Sequence, residues 1–167
     1  MSSLAEARAV RYLLDAVYDK SLIDAAIKDN IPSQALFHME QLCEKATKAC
    51  LAISGILITR EHSYSYYIES ILIPEKSELE KDFQRLLPAL SEIETVYISS
   101  RYGVDSHGRV TLEEYSQKDT VRLKNASLEY LELSFRCIES KCGKQMPRSK
   151  EELLAYFKSN YGEYISR

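Results

Sequence analysis

ALFHMEQLCEKATKACLAISG, Ala35 to Gly55, carries apolar side chains at Ala35, Leu36, Met39, Leu42, Cys43, Ala46, Cys50 and Ile53. The steps between them are mostly threes and fours, the period of one helix face; a half-buried strand would alternate. The spacing predicts a helix from about Ser33 to Ser54, with Pro32 tolerated in its first turn and Gly55 as its C-terminal stop.

Working outward, the same period recurs along the chain. Ser3-Leu-Ala-Glu6 matches the capping box, in which the Ser oxygen bonds the N3 amide and the Glu reaches back. From Leu4 a helix is expected to about Lys28, with Ala7, Val10, Leu14, Val17, Leu22, Ala25 and Ala26 on its apolar face. A shorter helix follows near Ser65 to Leu72, ended by Pro74. The segment from about Lys76 to Ser99 carries Leu79, Phe83, Leu86, Leu87, Leu90, Ile93, Val96 and Tyr97, and Pro88 is expected to kink or split it. Thr111-Leu-Glu-Glu114 and Ser149-Lys-Glu-Glu152 match the capping box again. They predict helices over roughly Leu112 to Lys141, stopped by Gly143, and Lys150 to Tyr161. No alternating segment reads as a strand. The fold class is all-α: an antiparallel up-and-down four-helix bundle over residues 1–143, with additional short helices and a C-terminal helical extension over 144–167 packed on the same domain.

Composition bounds the function. A chain of 167 residues is long enough for one domain with a real core, and five Gly and four Pro favour long helices. Apolar runs fall well short of the roughly 20 residues of a membrane span, and no signal peptide is visible, so a cytoplasmic location with no membrane association is expected. A net charge of -3 disfavours broad coating of polyanions. Cys43, Cys50, Cys137 and Cys142 form no CxxC, and no His cluster completes a zinc site, so reduced core thiols are expected, with no metal and no cofactor. A Walker A loop, a GxGxxG, a HExxH and a nucleophile elbow are all absent, which leaves mainstream nucleotide hydrolases and metalloproteases without support.

Within the opening stretch, Gln41, Glu44, Lys45, Lys48 and Ala49 resemble, position by position, the second-helix signature of the HEPN domain (higher eukaryotes and prokaryotes nucleotide-binding domain). Glu61-His62-Ser63-Tyr64 is similar to the short His-containing turn before that family's next helix. Tyr97-Ile98-Ser99-Ser100-Arg101-Tyr102-Gly103 resembles the Y-I-x-x-R-Y-P that ends its third helix, with Gly103 where many members have proline. The three pieces occur in order over roughly residues 5 to 140. The resemblance implies a helical bundle that forms homodimers and belongs with RNA-cleaving toxins, nucleotide-binding modules or members without activity. A small nucleotidyltransferase is the partner it implies.

The family's ribonucleases have an Arg followed, after four to six residues, by a His; Arg101 and His107 have five residues between them. The chemistry suits the pair. Cleaving RNA without a metal needs a group near its neutral pKa, which imidazole supplies, and a fixed cation for charge developing on the phosphoryl oxygens, which a guanidinium supplies. The bland alternative is an Arg that caps the third helix and a solvated loop His. Further binding candidates are Tyr102, Arg109, His62, Lys45 and Lys48. Arg109 stands two after His107, where toxin members often have the Tyr to which a partner nucleotidyltransferase attaches AMP, so that mode of control is in doubt here. His62 reads equally as a structural donor at a helix start. Glu44, Lys45 and Lys48 read equally as ion pairing on one helix face, and His38 as a partly buried helix residue. In the Tyr64, Tyr66, Tyr67 cluster, core plus surface tyrosine competes with a base-stacking platform. The expected function is a metal-independent RNA-cleaving, toxin-like ribonuclease acting as a homodimer. The alternatives are a noncatalytic nucleotide- or RNA-binding module working with a nucleotidyltransferase, or a helical scaffold.

Overall fold

The computed structural model describes residues 3–58, 63–102, 107 and 116–165, with the side chains of 97–102 left aside. Among the described residues every regular element is helical. Helix α1 spans Leu4–Lys28, α2 Pro32–Ile53 and α3 the single turn Tyr64–Tyr67, which continues into a π-helical turn at Ile68–Leu72. Helix α4 spans Glu80–Tyr102, α5 Gln117–Cys142 and α6 Lys150–Tyr161, closed by a 3-10 turn at Gly162–Tyr164. None of these helices is long and apolar enough to cross a membrane.

The local chemistry of the ends explains most of the boundaries. Ser3 Oγ accepts the Glu6 amide at 3.1 Å and Ser149 Oγ the Glu152 amide at 3.3 Å, so each satisfies one of the orphan donors of a first turn. Pro32 sits in the first turn of α2, where its missing N–H costs nothing. Gly143 closes α5 at φ 68°, a left-handed conformation in which its amide bonds the Glu139 carbonyl at 2.9 Å. Nothing lies within 4 Å of a Cβ built there, so the reason for glycine is backbone conformation rather than space.

Helix α2 is the centre of the core. It packs along α1 and also against α4 and α5. Ala35, Leu36, Met39, Leu42, Cys43, Ala46 and Cys50 are buried and Ile53 half-buried, as the opening period requires. Cys43, Cys50 and Cys137 are buried free thiols, while Cys142 is only half-buried. Burial, and then the charge of Glu40, pushes the Cys43 thiol up, so it is a packing group rather than a nucleophile. Tyr130 of α5 is fully buried; its hydroxyl lies 2.7 Å from Thr47 Oγ1 of α2, and its ring meets Phe83 of α4 edge-on at 6.3 Å.

Five expectations differ from what the structure shows. Leu22 and Ala25 do not belong to the buried face of α1: Leu22 is 47% exposed, and the stripe runs instead through Asp19, Ile23 and Ala26. The last turns follow a charged residue that periodicity of apolar letters passes over. Helix α4 begins at Glu80 rather than near Lys76 and continues through Pro88 without splitting. Pro88 and Gln84, whose carbonyl loses its donor, both lie on the exposed side, where the freed carbonyl is open to solvent, while Leu86, Leu90 and Ile93 stay buried. Helix α5 begins at Gln117, capped by Ser116 Oγ accepting the Asp119 amide at 3.1 Å, and not near Leu112. The Thr111 box lies outside the described residues. Helix α3 and its π turn start at Tyr64, one residue earlier than expected.

Besides the buried Met146, Leu153 and Tyr161, an arginine ties the C-terminal segment to α5. Arg148 reaches both Glu132 oxygens at 2.8 and 2.9 Å and both Glu139 oxygens at 2.6 and 3.0 Å, and its guanidinium lies 4.3 Å from the Phe135 ring centre. Partial burial opposes ionisation of Glu139, but the hydrogen bonds from Arg148 and the Met146 amide prevail and hold its carboxyl below the usual range. A depressed folded-state pKa gives stability that is present above the unfolded value and lost as pH falls through the folded one. Arg148→Ala is expected to cost about 1–2 kcal/mol for lost charge-assisted bonds to a half-exposed network. Urea melts should show that deficit at neutral pH and a much smaller one in acid, below the normal carboxylate range.

Candidate active site

Helix α4 carries the candidate Arg101 near its C-terminal end. Its inward side is fixed by two bonds to α3: the Tyr64 hydroxyl donates to the Leu90 carbonyl at 3.1 Å, and the Ser65 amide donates to Glu94 Oε2 at 3.0 Å. Leu90 and Ile93 are fully buried on that helix. Arg101 lies one residue before α4 ends at Tyr102. His107 comes five residues after that end, in a turn, and is exposed. Arg101 therefore belongs to the last turn of α4, and His107 to a turn five residues beyond the helix end along the sequence. The Arg101 and Tyr102 side chains, and all of His62 and Arg109, lie outside what is described.

The α2 signature residues are held by carboxylates of the chain itself. Asp19 of α1, 5% exposed, receives Lys45 Nζ on Oδ2 at 2.5 Å and stands 2.9 Å from His38 Nδ1 on Oδ1. Lys48 pairs with Glu44 one turn back on the same helix. The expected one-face pairing therefore holds for Glu44 and Lys48 but not for Lys45, which crosses to α1. The Gln41 side chain donates to Glu40 Oε2 at 2.8 Å, and Glu40 is fully buried. The crevice beside Glu44, Lys48, Tyr64 and Tyr67 has a volume of about 10 Å³, room for a water molecule at most.

Tyr64 joins the two helices electrically as well as sterically. It is 2% exposed, and burial, then the nearby Cys43 and the charges of Glu40 and Glu94, pushes its hydroxyl well above the usual tyrosine range. It stays neutral and donates to Leu90. Tyr66 is 60% exposed and Tyr67 half-buried, so the cluster divides into core and surface rings. Glu40, Glu94 and Asp19 are the polar residues that apolar periodicity misses. Among the described residues no group of three or more His, Cys, Asp or Glu is placed to hold a metal ion.

Comparison with known proteins bears on the same elements. A curated protein of Methanocaldococcus jannaschii, named "Putative toxin MJ1304", is 25% identical over 136 residues, covering 79% of this chain and 89% of its own. No solved structure matches the chain. A family model described as HEPN domain matches residues 9–133. That span runs from α1 into α5 and takes in the α2 signature, the Tyr64 contacts and the Arg101 end of α4. The match covers well over half of the sequence, and the chain belongs to the HEPN domain family.

Proposed function

We propose that the chain is a metal-independent, toxin-like ribonuclease that acts as a homodimer. The observation that carries this reading is the placement of Arg101 on the final turn of a helix anchored by Tyr64 and Ser65, with His107 in the exposed turn just beyond. A cation on a helix end is carried by rigid backbone, and a His in an exposed turn can meet a phosphodiester. In the reaction His107 moves the proton between the 2'-hydroxyl and the leaving 5'-oxygen. The 2'-oxygen bonds to phosphorus as the bond to the 5'-oxygen breaks, and Arg101 holds the charge that develops on the non-bridging oxygens. Tyr102, Arg109 and His62 are proposed to contact the RNA around this centre. Lys45, already engaged by Asp19, serves instead to hold α2 to α1, and Lys48 pairs with Glu44 along α2.

The relative named a toxin supports a partner that restrains the activity, and a small nucleotidyltransferase is the proposed one. Arg109 in place of tyrosine argues that this restraint does not run through a tyrosine at that position. In the dimer, two Arg101–His107 sets face one cleft. Light scattering at micromolar concentration is expected to give the mass of two chains. A monomer throughout that range would remove the shared cleft. The reaction itself is tested by incubating the purified chain with single-stranded RNA and with DNA of the same sequence. RNA should be cut and DNA survive, because only RNA carries the nucleophile; cleavage of both would defeat the proposed chemistry.

A further inference from the structure

A groove of about 570 Å³ runs between α1 and the C-terminal segment, with no α4 residue among its described lining. Of the eight large apolar side chains that stand most exposed among the described residues, four line it: Leu4, Leu57, Tyr164 and Ile165, at 39–49% exposure. Leu154 and Phe157 of α6 form one wall. Scattered exposed apolar residues are ordinary, but a concentration of them around one concavity marks a surface meant to be covered.

Its charge is selective. The charged residues on the groove are Arg8, Arg11 and Lys158, with no carboxylate among its described lining residues. Arg11 is paired with Asp15, whereas Arg8 and Lys158 are exposed and have no acidic partner among the described residues. Unbalanced cations beside an apolar groove, on a chain of net charge -3, favour a negative occupant and disfavour a second copy of an acidic chain. The α6 wall and the tail lie beyond residue 133, where the family match ends, while α1 and Leu57 supply the rest of the lining.

We infer that this groove docks a partner polypeptide through a segment that sets an apolar stripe between carboxylates, an acidic amphipathic helix in form. Its apolar residues cover Leu4, Leu57 and Phe157, and its carboxylates meet Arg8 and Lys158. This is independent of the RNA-cleaving centre and stands if that centre proves inactive.

The test is a selection of phage-displayed random linear peptides on the purified full chain. The best sequence is then synthesised with a fluorophore and titrated by anisotropy. Recovered peptides should combine apolar residues with net negative charge. Affinity should fall about tenfold or more with Leu57→Glu, and similarly with Arg8→Glu combined with Lys158→Glu. All three positions are exposed, so circular dichroism should be unchanged, and the charge-reversed pair should now select basic peptides. The inference is overturned if no peptide is recovered, if the peptides are neutral or basic, or if their binding ignores these substitutions. It is equally overturned if Leu57→Glu dissociates a dimer of the chain itself, which would make a second copy the occupant.

Discussion

His107→Ala is expected to lower RNA cleavage by about 100- to 10,000-fold, the usual worth of a positioned acid or base. The residue is exposed in a turn, so folding should be unaffected within about 0.5 kcal/mol and the loss should appear in the rate alone. Arg101→Ala is expected to lose activity on a comparable scale. The double variant should be little worse than either single one, because a proton-transfer group and the cation that stabilises the same transition state act as one unit. Single-turnover rates on a fluorescent oligoribonucleotide read all three. Multiplicative losses would show two independent contributions, and an unchanged rate for His107→Ala would take the imidazole out of the mechanism.

Tyr130→Ala is expected to be among the most damaging single changes to stability. The ring is fully buried where α5 meets α2 and α4, against Phe83, and its hydroxyl bonds Thr47. Removing a buried aromatic ring costs about 3–5 kcal/mol, from lost transfer energy and the cavity left behind. For a chain of this size that lowers the melting temperature by roughly 10 °C or more. Tyr130→Phe keeps the ring and should cost only about 1 kcal/mol, since Thr47 Oγ1 still donates to the Cys43 carbonyl at 2.9 Å. Calorimetry on the pair separates ring from hydroxyl. A cost below about 1 kcal/mol for the alanine would mean that the α2–α5 contact relaxes and closes the cavity.

How much of this was legible in the letters depends on where the physics is local. The bounds of α1 and α6 follow from Ser3, Ser149 and the periods behind them, because a cap and the turn it starts are neighbours in sequence. Gly55 and Gly143, both at positive φ, are readable stops for the same reason. Pro88 was not, since whether a proline breaks a helix depends on which side faces water and on the burial of Leu86 and Leu90 around it. Asp19 was not, because a buried carboxylate is intelligible only once His38 and Lys45 arrive from another helix. At the candidate site, residue types and spacing named Arg101 and His107. The bonding of α4 to α3, through Leu90 and Glu94, required the packing.

The measurement that bears most directly on the central claim is mass analysis of the RNA ends formed in EDTA, by the wild-type chain and by His107→Ala. With a 2'-hydroxyl nucleophile and no metal, the wild type should leave 2',3'-cyclic phosphate on one fragment and a 5'-hydroxyl on the other, and His107→Ala should leave the RNA essentially intact over the same time. Cleavage that EDTA abolishes, ends bearing a 5'-phosphate, or equal products from His107→Ala would contradict the account.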